Sequence, residues 1–459
     1  RTPRLAAEVG QARDSTPASA TSSNGAKGAR RGELADSGAD GLDVFNADEY
    51  RVSKTRRALM TRARIDPETP TNPFRLADVT AWHETVDVLV VGYGAAGACA
   101  AIEAARAGAD TLVLERASGG GGTTAMAGGV LYLGGGTRVQ KACGIDDSPE
   151  EMLRYLTAST PDPDPEKFRL YVEGSVAHFD WLVAQGVPFK DALHTERTTQ
   201  PANDDGLFWS GNEKSWPYKE IAKPAPRGHK VQAPGDAGAL LFAKLHEAAS
   251  KSGARIQYDT RVLKLVLDER GAVVGVVARQ DGEDRAFRAR GGVVLCAGGF
   301  AMNETLRQRH LSRLVDRAMP IGNPYDDGTG LRLGMSARGA AIHLDEYHLT
   351  VPYYPPGSLT FGILVNGQGQ RFIAEDAYHG RLGEIASRQP LGRVYLIVDE
   401  ASFGRPVLDG FEVVAVEGSI AELEKALSLP AQTLVRTVEL FNRNAAQGED
   451  PVLHKQPPW

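Results

Sequence analysis

Cysteine is scarce. Three occur in 459 residues (Cys99, Cys143 and Cys296), none of them in a C-x-x-C pair. That excludes a disulfide framework and a cysteine-rich zinc module, and the lack of a C-x-x-C-H run excludes a covalently attached haem. No sign of charge dominates either. With 52 basic and 58 acidic residues the net charge is −6, so nothing global points to nucleic acid or to an anionic membrane. No apolar stretch approaches the ~20 residues of a membrane span; the best candidate, Val86–Val91, is broken by Asp87 and stopped by glycines. The amino-terminal region lacks the apolar core of a signal peptide, and its many acids do not suit a transit peptide. A cytoplasmic location is the expectation from these absences.

Residues 10–41 are rich in Ala, Ser, Gly and charge and have no apolar periodicity. Such a composition does not bury enough surface to offset ordering entropy. The chain starts with Arg and its first methionine is Met60. Residues 1–81 are therefore expected to be a disordered or non-native extension, with 1–59 either a tail or upstream of the natural start.

Glycine is abundant, 51 of 459 residues, against an average of about 7%. Its most informative cluster is Gly92-Tyr93-Gly94-Ala95-Ala96-Gly97. It follows a strand-length run (Val86–Val91) and opens an alanine-rich helical stretch (98–107). A second apolar run, Thr111–Leu114, closes on Glu115, 18 residues after Gly97. This is one βαβ unit of about 30 residues, implying a parallel sheet. Gly92 suits the tight turn, Gly94 lets backbone N–H groups approach a pyrophosphate, and Gly97 lets helix and strand pack closely. The helix N-terminus, with Ala95 and Ala96, adds partial positive charge for the phosphates. Glu115 stands where an acid accepts hydrogen bonds from a ribose. The bland alternative is a glycine turn in an ordinary α/β sheet.

Further along, helices are expected at 149–157, 165–185, 237–252, 304–317 and within 420–446. Alternating segments at 255–266, 272–279 and 286–290 read as an antiparallel meander, followed by a β-branched run at 292–296. Segments 340–350, 361–374 (turning at NGQG) and 393–399 read as strands of a second domain.

After Glu115 come Arg116, the glycine run ending Gly121-Gly122-Thr123-Thr124, and Gly128-Gly129. Together these resemble the FAD-binding flavoproteins of the fumarate reductase/succinate dehydrogenase superfamily. The same order continues in Thr260-Arg261-Val262, Ala297-Gly298-Gly299-Phe300, Asp326-Asp327-Gly328, and the hairpin Leu364-Val365-Asn366…Gln370-Arg371-Phe372…Glu375. The resemblance covers roughly 86–380. It implies an α/β fold in which a Rossmann-like FAD-binding domain carries an inserted α+β substrate (capping) domain. The implied division places the first part of the FAD domain at 82–305 and the substrate domain at 306–459. FAD contacts are implied at Gly92, Gly94, Ala95, Ala96, Gly97, Glu115, Arg116, Gly121, Gly122, Thr123, Thr124, Gly128, Gly129, Val262, Ala297, Gly298, Gly299 and Asp327.

Acid-reducing members of that superfamily deliver a proton through an arginine shortly after the hairpin glutamate. Here His379 stands four positions after Glu375, and Arg381 fits only with a two-residue shift. The segment around Tyr347-His348 and Pro352-Tyr353-Tyr354-Pro355-Pro356 is aromatic and proline-rich instead. With Pro226-Arg227-Gly228-His229 and Asp450-Pro451…His454-Lys455, it resembles the 3-ketosteroid dehydrogenase-like branch. That branch implies α,β-dehydrogenation of a ketosteroid or other cyclic ketone, with hydride passing to flavin N5. The partners implied are a hydrophobic ketone and an external electron acceptor.

Such chemistry needs a base within reach of an acidic α-proton and a donor for the developing enolate. The family uses tyrosines and a backbone N–H; the matching candidates are Tyr353 and Tyr354, with Tyr132 and His348 behind them. Beside two prolines, Tyr353 and Tyr354 equally suit the wall of an apolar pocket. His379 and His229 read as loop or supporting histidines, Cys99 and Cys296 as packing residues, and Cys143 has no visible partner. The family's glycine-rich C-terminal return segment is not recognisable before Trp459, so the resemblance also implies a truncated chain. Two alternatives stay open: a fumarate reductase-like enzyme acting on an unsaturated acid, and an inactive flavoprotein fragment.

Overall fold

The structure, a computed structural model, describes residues 4–9 and 72–459 apart from 316 and 408–410. Most of the expected amino-terminal extension, 10–71, lies outside the described residues. Residues 4–9 depart from that expectation by forming a strand, β1 (Arg4–Val9). Phe74–Arg75 form another short strand, β2.

The main sheet grows from β3 (Glu84–Val91), whose neighbours are β4 (Thr111–Leu114) and the long β11 (Glu283–Leu295), both parallel to it. All four residues of β4 are buried, as expected for a parallel strand covered on both faces. Small side chains on the helix Ala95–Arg106 (Ala98, Ala101) pack with Ile102 against Leu241, Leu245 and Ala249 of the helix Gly238–Ser252. Beyond β4 lies β8 (Arg255–Gln257); beyond β11 lie β10 (Val273–Gln280), β9 (Arg261–Leu267) and β2. The strands β9, β10 and β11 form the expected meander.

Two boundaries differ from expectation. The run 255–266 divides at Asp259, which has φ +52, so β8 joins the parallel part of the sheet and β9 the meander. Segments 286–290 and 292–296 are instead one strand, with a register shift between Ala289 and Gly292. Gly292, at φ +149, carries that irregularity.

A three-stranded antiparallel sheet combines β5 (Val130–Tyr132), β6 (Leu207–Phe208) and β7 (Gly228–Lys230). A four-stranded sheet runs in the order β12 (Ile363–Asn366), β13 (Val394–Asp399), β1, β14 (Phe411–Glu417), with every pairing antiparallel. Its core joins Ile363, Val365, Tyr395 and Ile397 to Leu423, Leu434 and Val438. The last three come from the helices Ile420–Ala426 and Thr433–Ala445.

The expected strand at 340–350 is absent. The alternating pattern there meets no partner strand, and His343 takes φ +56. The expected helix 304–317 stops at His310, because the chain then folds into turns that bury Leu314. Among the described residues no helix is long and apolar enough to cross a membrane.

Candidate active site

The loop after β3 is fixed by two close approaches. Gly92 has φ +95, and a Cβ there would lie 2.5 Å from the carbonyl oxygen of Cys296 at the end of β11. At Gly97 a Cβ would lie 2.0 Å from the Gly92 carbonyl oxygen. Glu115 closes the loop: Oε2 accepts the Tyr93 N–H at 2.7 Å and Oε1 accepts the Ala117 N–H at 2.8 Å. Each carboxylate oxygen keeps a further lone pair, so Glu115 both shapes the loop and retains capacity for a ribose hydroxyl. Thr124 Oγ1 accepts the Ala95 N–H at 3.0 Å and so ties the glycine loop to the 121–124 turn.

Between these parts lies a cavity of about 510 Å³, within the usual range for a cofactor site. Its walls include Gly92, Gly94, Ala95, Ala96, Glu115, Arg116, Gly121, Gly122, Thr123, Thr124, Val262, Ala297 and Gly298, all expected from the sequence. A Cβ on Gly94 would stand 3.4 Å from Thr124 Oγ1 and 3.6 Å from the Gly121 carbonyl, narrowing the passage between loop and turn. A backbone bare of side chains at a helix N-terminus, facing an acid at the second strand end, fits the pyrophosphate and ribose of FAD.

Other expected contacts fall beside the cavity. Gly97 packs helix on strand. Gly128 and Gly129 lie against Gln200 and Ala237, and nothing stands within 4 Å of a Cβ on Gly299. Asp327 is also displaced: it pairs with Arg116 at 2.8 Å and accepts the Thr329 N–H at 3.0 Å. The neighbouring Asp326 lines the cavity instead, bonded to the Thr123 hydroxyl. No local motif marks Asn323 or Tyr325 as cavity residues; for Asp326 the segment Asp326-Asp327-Gly328 is the only signal. For the residues around Met335 and Ala341, also in the wall, no motif gives one.

The candidate catalytic tyrosines do not line this cavity. Tyr353 is fully buried and its hydroxyl donates to the Glu375 carbonyl at 2.6 Å. Burial pushes its phenol well up. Tyr354, 5.2 Å away between ring centroids and nearly perpendicular, has a different environment. The Arg197 guanidinium lies 4.0 Å from its ring centroid, and the His379 backbone N–H is near enough to bear on its phenol. Burial raises the Tyr354 phenol, while Arg197 and that N–H oppose the rise. Tyr353 is thus committed as a donor, whereas the Tyr354 oxygen is arranged to accept.

Tyr132 belongs to a third group. Its hydroxyl donates to Glu213 Oε1 at 2.9 Å, and its ring stacks on Tyr155. Glu213 is fully enclosed, and desolvation raises its carboxyl. Behind it, Arg227 and Asp147 form an ion pair at 2.7 Å with neither side chain exposed. Asn212 joins this group to the next element: its Oδ1 accepts the Tyr378 N–H at 2.8 Å. Tyr378 precedes the helix His379–Ser387.

The histidines behave as supporting groups. His229 is buried against Thr137, with Nε2 2.7 Å from the hydroxyl oxygen, and burial lowers it to about 4. His379 is lowered to about 3 by burial, then by His348 and Arg197. His348, 6.0 Å from His379 between ring centroids, is also lowered by burial. Cys99, Cys143 and Cys296 are partly buried, packed against the core behind the glycine loop; burial pushes Cys99 up to about 11.

The model of the FAD binding domain family matches residues 87–459. The 3-oxo-5-alpha-steroid 4-dehydrogenase of Comamonas testosteroni is 31% identical over 439 residues, covering 82% of each chain. A 3-oxosteroid 1-dehydrogenase of Mycolicibacterium smegmatis is 27% identical over 460 residues, covering 80% of this chain and 79% of its own. The crystal structure of the 3-ketosteroid-delta4-(5alpha)-dehydrogenase from Rhodococcus jostii RHA1, in complex with 4-androstene-3,17-dione, is 44% identical. It superposes with a TM-score of 0.79 over 84% of this chain and 82% of that one.

Proposed function

The chain belongs to the FAD binding domain family, and from that premise we propose that it dehydrogenates a 3-ketosteroid, introducing the double bond next to the ketone in ring A. The observation that carries this reading is the 44% identity to a 4(5α)-dehydrogenase holding its steroid, maintained over 84% of the chain. The 4,5 position is favoured over the 1,2 position because the 4-dehydrogenase relative is the more similar by identity, 31% against 27%.

When bound in the cavity, FAD would supply the acceptor for the hydride that leaves the β-carbon. The chain's own residues handle the proton. Removing hydrogen from the carbon α to the ketone leaves charge on the carbonyl oxygen, so a base must face that carbon. Tyr354 takes this role, since the Arg197 guanidinium over its ring and the His379 backbone N–H both oppose the rise that burial imposes on its phenol. Tyr353 fixes the neighbouring backbone through Glu375. Tyr132 is held in place by its bond to Glu213. We also propose the division into an FAD domain at 82–305 and a substrate domain at 306–459, an external electron acceptor, and a cytoplasmic location.

The test is a dye-linked assay on FAD-loaded protein. It uses the ring-A-saturated 5α counterpart of 4-androstene-3,17-dione as donor, with the product identified by mass and ultraviolet spectra. A 4-ene-3-one product is expected. A 1-ene product would move the reaction to the other bond, and oxidation of reduced flavin by fumarate-like acids without steroid turnover would sink the reading.

A further inference from the structure

We propose that Arg197 is the positioning residue for Tyr354, holding the phenol and the segment that caps it in one arrangement and setting the charge around its oxygen. The inference rests on the reading of Tyr354 as the proton acceptor.

Three consecutive backbone carbonyls converge on this one guanidinium. Nη1 donates to the Asp376 oxygen at 2.9 Å, and Nη2 donates to the Glu375 oxygen at 3.1 Å and the Ala377 oxygen at 2.8 Å. Its Cζ lies over the Tyr354 ring, 4.0 Å from the centroid, and its Nε is buried with no partner among the described residues. The carbonyls belong to the stretch that runs directly into the helix His379–Ser387, whose first backbone N–H opposes the rise of the Tyr354 phenol. One side chain therefore places both the cation and the N–H donor. A wide planar fork of five donors suits this; a lysine ammonium, compact and strongly hydrated, lacks that fixed span.

Other groups face Tyr354 as well. Tyr353 lies beside it on the same segment, at 5.2 Å, and His379 lies 6.3 Å away from the helix start. Tyr378 packs on His379 with ring centroids 4.1 Å apart, and His348 stands 6.0 Å from His379. Burial keeps both histidines low, His379 at about 3, and pushes Tyr378 up to about 12. Burial raises Tyr354 too, with Arg197 opposing that rise, so loss of the guanidinium moves its phenol further up.

The experiment is the pH profile of kcat in the FAD-loaded enzyme, for wild type, Arg197→Gln and Arg197→Lys, with melting temperature measured alongside. The limb that rises with pH is expected to move up by about one unit or more in Arg197→Gln, with a roughly tenfold or larger loss of kcat at neutral pH. In Arg197→Lys a smaller upward shift is expected. Should Arg197→Gln fail to fold, Arg197→Lys decides. A limb unmoved in a folded variant, with only melting temperature or KM changed, overturns the proposal and leaves Arg197 a staple. Tyr354→Phe is run in parallel: full activity there overturns the assignment of the base itself, which is a different result from an unmoved limb.

Discussion

The Glu115 carboxylate accepts the Tyr93 backbone N–H at 2.7 Å and thereby joins the end of β4 to the glycine loop after β3. Together with the Ala117 N–H on the other oxygen, this gives one acid two charge-assisted bonds, each of the kind worth roughly 1.5–3 kcal/mol. Glu115→Gln replaces one acceptor by an amide N–H that opposes a backbone donor. FAD affinity should fall by about 10–100-fold, read from flavin fluorescence quenching on titration into apoprotein. Unchanged affinity would mean that the loop holds its shape without the acid.

The two adjacent tyrosines should separate cleanly. Tyr354→Phe is expected to lower kcat at least ~10²-fold with melting temperature nearly unchanged, as for loss of a general base. Tyr353→Phe removes the bond to the Glu375 carbonyl and should cost about 1–3 kcal/mol of stability, with kcat within tenfold of wild type. Rate assays and urea denaturation on the same two proteins check this; the reverse pattern would exchange the roles.

Asp147 carries more than its ion pair. Besides Arg227 it accepts the Gly135 N–H and the Gln140 side-chain amide, each at 2.9 Å. Asp147→Asn leaves the Arg227 charge enclosed without its counter-ion, a change that typically costs 3–5 kcal/mol. Chemical denaturation midpoints should show a loss of about that size, together with disturbance of Tyr132 and Glu213 next to it.

Acid should weaken the protein through His229. Its folded-state value is depressed from 6.5 to about 4, so between those values the unfolded chain binds the extra proton. Stability is then fully present above pH 6.5 and is lost as pH falls toward 4. His229→Gln should flatten the fall in melting temperature over that window relative to wild type. An identical slope in the two proteins would assign the acid sensitivity elsewhere.

The sequence discloses parts of this site unevenly, and the reason is distance along the chain. The strand–glycine–helix unit and Glu115 lie within about 30 residues, so local pattern suffices, and the cavity gathers most of the residues it nominates. Alternation at 340–350 misleads because a strand exists only where a partner is free to pair. Tyr353 and Tyr354 are indistinguishable as letters; their roles divide only through the different partners each meets in three dimensions. Arg197 carries no motif at all, since its three acceptors are carbonyls 178–180 residues later.

The pairing of β3 with β11 bears on how the protein is made. The floor of the glycine loop is the Cys296 carbonyl, and Cys296 donates its N–H to Val91 at 2.8 Å. About two hundred residues must therefore leave the ribosome after the loop before the cofactor cradle closes. Contacts so far apart in sequence form late and slowly. Nascent chains halted before β11 therefore lack the floor of the cradle.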